Sequence, residues 1–194
     1  LSTWTGTAGA DTAAGTTGLD YQLGLAGNDT LNGNSGNDIQ DGGDGNDTLN
    51  GQAGVDIAYG GAGNDLIDGG DGNDTLNGDA GRDTLFGGLG VDVLRGGTGA
   101  DTLAGGAEAD TLVGGDGADA YRFGTGDGAE TIDNSSTDEE IDILDITNLT
   151  RAQLTFARSG NDLTITRTGT SSDSVRVTSW FTTLGNRIDE LRTS

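Results

Sequence analysis

Thirteen aspartates stand nine residues apart in this chain: Asp11, Asp20, Asp29, Asp38, Asp47, Asp56, Asp65, Asp74, Asp83, Asp92, Asp101, Asp110 and Asp119. A carboxylate that recurs at a fixed interval offers hard, charged oxygen in an ordered row. No His, Cys or Met accompanies it, which removes zinc fingers, His-containing triads, thiol nucleophiles and the usual haem ligands. Oxygen-only coordination by several carboxylates in a flexible setting selects Ca²⁺; Mg²⁺ demands a tighter octahedron with retained water, and Zn²⁺ prefers nitrogen or sulfur. Paired carboxylates also serve glycosidases. Here the same acid returns thirteen times, as structural ligands do and a catalytic pair does not, so the chain itself is read as non-enzymatic.

The elements that must position these carboxylates follow from the residues between them. Read in nines from Gly6, thirteen units run without a gap to Arg122. Position 1 is Gly in every unit, position 6 is Asp in every unit, and position 4 is Gly in all but one, which has Glu108. Position 8 is Leu or Ile in eight units, from Leu31 to Leu112. Glycine at positions 1, 2 and 4 permits left-handed backbone and close approach, which predicts a tight turn over positions 1 to 6. Positions 7 to 9, such as Thr84-Leu85-Phe86, predict a short strand with position 8 facing inward. Such a strand cannot stand alone, so units must stack. The predicted fold is all-β: a parallel β-roll, a two-sheet β-solenoid with two nonapeptides per coil and the Leu/Ile row inside. Odd and even units then fall on opposite sides. The aspartates form one column from Asp11 to Asp119 and another from Asp20 to Asp110, with eleven gaps between stacked turns as candidate ion sites.

Composition states why an ion is needed. The 194 residues include 38 Gly, only 31% are hydrophobic, and the net charge is −23, a signature of disorder. Residues 6–122 hold twenty acids against Arg82, Arg95 and Arg122, a charge of −17. Without disulfides to staple the chain, a bound cation is the expected source of stability. The same charge argues against a nucleic-acid backbone or an anionic membrane as partner. No apolar run approaches the ~20 residues of a membrane span, and no basic-then-apolar leader is present. A start at Leu1 in a chain without Met is expected of a processed chain or an excised fragment.

After residue 122 the period stops. Alternation predicts strands at Asp142–Ile146, Gln153–Arg158, Leu163–Arg167 and Ser174–Thr178, with turns at Ser159-Gly160-Asn161 and from Thr168 to Asp173. Ile188 and Leu191 are assigned to a last short element. The organisation expected is therefore an N-terminal edge at 1–5, a calcium-binding roll at 6–122 and a β-rich cap at 123–194 that covers the open end of the Leu row.

The unit G-G-x-G-x-D-x-U-x, seen best in Gly42 to Asn50 and in Gly69-Gly70-Asp71-Gly72-Asn73-Asp74-Thr75-Leu76-Asn77, resembles the nonapeptide of the RTX (repeats-in-toxin, haemolysin-type calcium-binding) family. Tyr121 to Gly128, Ser159 to Leu163 and Trp180-Phe181 resemble the C-terminal flank of such blocks. The resemblance implies Ca²⁺ as cofactor and a site shared by stacked turns. One turn would give its Asp with its position 1 and 3 carbonyls, the next its Asp with its position 2 and 4 carbonyls. Candidate carbonyl donors are then Gly42-Gly43-Asp44-Gly45, Gly60-Gly61-Ala62-Gly63, Gly69-Gly70-Asp71-Gly72, Gly78-Asp79-Ala80-Gly81, Gly87-Gly88-Leu89-Gly90 and Gly96-Gly97-Thr98-Gly99. Between the turns at 60 and 78 the ion would take Gly60, Ala62 and Asp65 from one side and Asp79, Gly81 and Asp83 from the other.

Departures from the repeat carry expectations too. Thr7, Thr16, Leu25 and Asn34 replace Gly at position 2, while Ala13, Gln22, Gln40 and Ala58 replace Leu at position 8. The N-terminal coils are expected to be looser and to bind calcium less well, and Glu108 to disturb the Asp92–Asp110 gap. An apolar stripe of Tyr21, Ile39 and Ile57, with Leu19, Leu23, Val55 and Tyr59, is expected on the outside. Ordinary strand preference and a contact surface for preceding protein or a partner account for it equally.

The function expected is a calcium-induced folding module of a larger secreted bacterial protein. The resemblance implies export through a type I secretion apparatus and an extracellular or cell-surface location. The alternatives are the C-terminal part of a secreted protease, lipase or epimerase whose catalytic domain lies elsewhere, and a receptor-contact segment of an adhesin or toxin.

Overall fold

The computed structural model describes residues 1–134, 140, 142–169, 172–180 and 190–193. In chain order the strands are β1 (Ser2–Thr5), β2 (Thr12–Ala14), β3 (Asp20–Ala26), β4 (Thr30–Ser35), β5 (Ile39–Asp44), β6 (Thr48–Ala53) and β7 (Ile57–Ala62). They continue as β8 (Leu66–Asp71), β9 (Thr75–Ala80), β10 (Thr84–Leu89), β11 (Val93–Thr98), β12 (Thr102–Ala107), β13 (Thr111–Asp116) and β14 (Ala120–Phe123). Beyond the repeats lie β15 (Ala129–Asp133), β16 (Ile143–Ile146), β17 (Leu154–Ser159), β18 (Asp162–Arg167), β19 (Ser174–Val177) and β20 (Glu190–Thr193).

Odd-numbered strands β1 to β15 stack in one sheet; even-numbered strands β2 to β16, followed by β20, stack in the other. Through the repeats each strand pairs in parallel with the one eighteen residues on, as in Thr84↔Thr102 and Leu85↔Leu103. The chain therefore winds as the β-solenoid that the nonapeptide predicts, one strand per unit and two per coil.

Strands β4 to β13 are longer than the predicted three residues. Each takes positions 7 to 9 of one unit and positions 1 to 3 of the next, so the turn proper is positions 4 to 6. The register skips position 1, where Gly87 lies between Phe86↔Ala104 and Gly88↔Gly106. Glycine lets the strand bend there without losing the ladder on either side.

Position 8 forms the core. Leu31, Leu49, Ile67, Leu76, Leu85, Leu94 and Leu103 are wholly buried, and Ala13 and Ala58 occupy the same row. Gln22 and Gln40 are buried there as well. They satisfy most of their polarity as a ladder: Gln40 Nε2 donates to Gln22 Oε1 at 2.8 Å, and Gln22 Nε2 donates to the Asn32 carbonyl at 2.9 Å.

The row does not stop at residue 122. Leu112 stacks on Ile132 and Ile132 on Val177 in one sheet; Leu103, Tyr121, Leu144 and Leu191 follow one another in the other. Residues beyond the repeats thus prolong both sheets, with coils that lengthen from eighteen residues to twenty at Thr111↔Thr131 and twenty-three at Ala120↔Ile143. The antiparallel strands β17 and β18 join the sheet through β19. Four of the strands found here, β16 to β19, lie where alternation places them. Phe181 and Ile188 fall outside the described residues. Among the described residues no helix is long and apolar enough to cross a membrane.

Candidate metal centre

The repeating aspartates lie on the turns, yet their side chains point into the interior: from Asp20 to Asp119 none is more than 3% exposed. Within each column, Oδ1 of one Asp accepts the backbone N–H of the Asp eighteen residues earlier. Asp47 donates to Asp65 and Asp65 to Asp83 at 2.8 Å; Asp56 donates to Asp74 at 2.8 Å and Asp74 to Asp92 at 2.7 Å.

The second oxygen has no such partner. Oδ2 of Asp29, Asp38, Asp47, Asp56, Asp65, Asp74, Asp83, Asp92, Asp101 and Asp110 is buried without a hydrogen bond. Each faces a cradle kept open by the position 1 glycine. From Gly24 to Gly96, the place a Cβ would take lies 2.4–2.5 Å from Oδ2 of the same unit's Asp. It also lies 2.4–2.8 Å from the position 1 carbonyl of the turn stacked next. Any side chain at position 1 would fill that space.

More carbonyls converge on the same gap. A Cβ on Gly63 would meet the Gly45 carbonyl at 1.7 Å, and one on Gly61 the Gly43 carbonyl at 2.1 Å, so positions 2 and 4 of the earlier turn aim at the later one. From the later turn, the Ala62 carbonyl points back and accepts the Gly45 N–H at 2.7 Å. The gap between turns 42 and 60 is therefore faced by Gly43, Gly45 and Asp47 from below and by Gly60, Ala62 and Asp65 from above.

This reverses the sense of the predicted ligand set. The Gly60 carbonyl faces Gly42, and Ala62 faces Gly45, while the Asp79 and Gly81 carbonyls face Gly97 and Gly99. All four point out of the gap between turns 60 and 78 into its neighbours. That gap is faced instead by the carbonyls of Gly63, Gly78 and Ala80, with Asp65 and Asp83. The physical reason is the direction of the parallel ladder. It turns odd-position carbonyls back toward the preceding coil and even-position carbonyls forward, an orientation that residue types do not reveal.

The donor set fits calcium. Each gap brings two carboxylates and several carbonyls, and among the described residues no three acidic side chains converge. An all-oxygen, carbonyl-rich site with one or two carboxylates suits a hard ion of variable coordination. The electrostatics require a cation as well. Ionised carboxylates a strand spacing of ~4.8 Å apart repel by roughly 3 kcal/mol at an effective dielectric near 20. Burial first, and neighbouring carboxylates next to it, push Asp56, Asp65, Asp74, Asp92 and Asp110 up to about 6 and Asp83 to about 7, against the amide hydrogen bonds that each accepts.

The first two turns differ. Oδ2 of Asp11 accepts the Thr7 N–H at 2.6 Å and the Thr7 hydroxyl at 2.8 Å. Oδ2 of Asp20 accepts both the N–H and the hydroxyl of Thr16. The Thr16 amide holds the Asp20 carboxyl below the usual range. Leu25, Asn34, Gln52 and Asp79 at position 2 instead take the left-handed turn, with φ of 82°, 73°, 74° and 69°. Glu108 does so at position 4 with φ of 88°, and the Asp92–Asp110 gap keeps its amide hydrogen bond at 2.8 Å.

Two further acids continue the columns past the repeat. Asp142 Oδ1 accepts the Asp119 N–H at 2.8 Å. Glu130 stands beside Asp110 in the register of β13 with β15, is 2% exposed, and is pushed up to about 9 by burial and then by the Asp110 charge. Residues 125–133 read T-G-D-G-A-E-T-I-D, a unit with Glu at position 6, displaced by the two residues Phe123-Gly124. A search in strict nines passes over it.

The RTX calcium-binding nonapeptide repeat model matches the chain in overlapping segments, residues 5–40, 23–49, 33–67, 41–76, 59–94, 68–103 and 95–129. No curated protein matches the chain.

Proposed function

We propose, on the premise that this chain belongs to the family of RTX calcium-binding nonapeptide repeats, that it is a segment whose folding is switched on by calcium outside the cell. The observation that carries this reading is the line of buried aspartate oxygens, Asp29 to Asp110, that lack a hydrogen bond. An ionised carboxylate in that position is costly without a cation. With a charge of −17 over residues 6–122 and only three Arg to offset it, the repeat block repels itself when no cation is present.

Bound calcium supplies positive charge and oxygen coordination to each gap, so its binding energy becomes folding energy. The chain's own residues do the rest. Position 1 glycines hold the cradles open, the Asp Oδ1 atoms lock each turn to the one before it, and the position 8 row closes between the sheets. Inside a cell, where calcium is scarce, the segment stays open and able to thread a secretion channel of the type I class; outside, it folds. The aspartates act as structural ligands and the segment performs no catalysis of its own. A catalytic or adhesive activity belongs to other parts of the secreted protein that carries it.

Circular dichroism tests the switch. In excess chelator the chain is expected to show little β-signal, millimolar Ca²⁺ to restore it, and Mg²⁺ to do much less. A full β-signal in chelator would sink the reading.

A further inference from the structure

The two aspartate columns end differently. Beyond Asp119 the cradle is filled by protein. The place a Cβ on Gly114 would take lies 2.4 Å from the Tyr121 hydroxyl, where the repeats have a carbonyl. That hydroxyl accepts the Gly114 N–H at 2.9 Å and donates to Asn134 Oδ1 at 2.7 Å; Asn134 Nδ2 donates to Asp142 Oδ2 at 2.8 Å. The Tyr121 hydroxyl occupies the cradle there, and the Asn134 amide gives Asp142 Oδ2 the partner that a cation would supply elsewhere.

Beyond Asp110 the facing group among the described residues is a second carboxyl, Glu130, whose own proton is the one hydrogen it can offer. The place a Cβ on Gly105 would take lies 2.3 Å from Asp110 Oδ2 and 2.7 Å from Glu130 Oε2. The second carboxylate thus stands where the repeats have a position 1 carbonyl. Both oxygens of Glu130, like Asp110 Oδ2, are buried, and among the described residues these two carboxyls have only each other and the Asp110 backbone to turn to. Across the same gap the Glu108 carbonyl aims at Gly128, 1.7 Å from where its Cβ would be, and accepts the Ala129 N–H at 2.9 Å. This gap lies outside the nonapeptide pattern, with a glutamate in place of the aspartate and a two-residue insertion before it.

We propose that Asp110 and Glu130 hold a divalent cation of calcium's class, with the Glu108 carbonyl, in a site that joins the repeats to the strand after them. The site rests on the reading of the repeats as calcium-binding but differs in its donors, since a glutamate can offer two oxygens where the repeat offers one carbonyl. Its consequence is that β15, the first strand beyond the repeat, docks only when the ion is present. The coils past residue 123 are thereby tied to the same signal as the coils before it.

The test counts ions on the full chain at saturating Ca²⁺, by equilibrium dialysis and native mass spectrometry. Glu130→Gln is expected to carry one ion fewer than the unaltered chain. An equal count would overturn the site while leaving the calcium-dependent repeats intact, whereas an unaltered chain that holds no calcium would sink the wider reading instead. Should the variant fail to fold, infrared spectra of the unaltered chain labelled with ¹³C-glutamate decide. Calcium is expected to leave only carboxylate bands, and a protonated glutamate band that persists at saturating calcium and neutral pH would overturn the proposal.

Discussion

At Asp20 the carboxylate oxygen that faces the cradle is met by the amide and hydroxyl of Thr16; at Asp74, in the same place on its turn, none of the described residues gives it a hydrogen bond. The two turns share their fold, their buried aspartate and the amide bond along the column. What separates them is one residue at position 2. Threonine supplies donors from its own turn, and glycine supplies none. The first two turns are closed by their own chemistry, and the central turns are left for an ion to close.

The largest expected effect comes from deleting one aspartate on each side of that comparison. Asp74→Ala removes an oxygen from the gap with the next turn and leaves the Asp56 N–H buried without its acceptor. A loss of about 1 kcal/mol or more from a coupled stack raises the calcium midpoint roughly fivefold and makes the transition less steep. Asp11→Ala, whose carboxylate answers to Thr7, is expected to move the midpoint little. Calcium titrations followed by circular dichroism compare the two, and equal shifts would break the distinction between the regions.

A middling effect is expected from the polar rungs of the N-terminal core. Gln40 Oε1 is buried without a partner, while Gln40 Nε2 serves Gln22 Oε1. Gln40→Leu alone strands the Gln22 oxygen, at a cost of ~1–3 kcal/mol if no water reaches it. The pair Gln22→Leu with Gln40→Leu removes both needs and lowers the calcium midpoint below that of the unaltered chain. The order expected in the titration is double variant, unaltered chain, then Gln40→Leu; a double variant worse than the single one would mean that the ladder stabilises these coils.

The smallest change sharpens the comparison most. Thr16→Gly removes the hydroxyl and permits the left-handed turn used at Gly43 and Gly61. Asp20 Oδ2 is then released into its cradle, and the chain is expected to bind one more calcium with little shift in midpoint. An unchanged ion count would show that position 2 does not decide which turns take an ion.

The sequence makes the periodic part of this molecule legible, because Asp at position 6 and Leu at position 8 each have a fixed environment that repeats every coil. Strands β16 to β19 are legible for a different reason, the plain alternation of apolar and polar residues. Carbonyl direction is not, since glycine presents the same letter whichever way its peptide faces. The closure of Asp11 and Asp20 is not legible as a structure: Thr7 and Thr16 read as defects, and only the side-chain geometry turns them into donors. Glu130 and Asp142 were hidden by phase. Phe123-Gly124 shifts the frame by two residues, and a parallel ladder absorbs such a shift in a turn while a nine-residue count does not. The expected looseness of the third and fourth turns is met by backbone that adopts the turn regardless, with Leu25 and Asn34 accepting a left-handed conformation that costs a non-glycine residue roughly 1–2 kcal/mol.

Because strands alternate between two sheets, the repeat count has parity. Excising residues 60–77 would join Tyr59 to Gly78 and leave every later strand on the face it holds now, with one rung fewer in each column. Excising residues 60–68 alone would keep the motif in frame but transfer every later strand to the opposite face. Thr75, Val93 and Thr111 would leave the side that carries Tyr21, Ile39 and Ile57, and the Glu130 end would change places with the Asp142 end. A chain of this design can change length without rearrangement only by whole coils, so the natural step for its growth or loss is two nonapeptides.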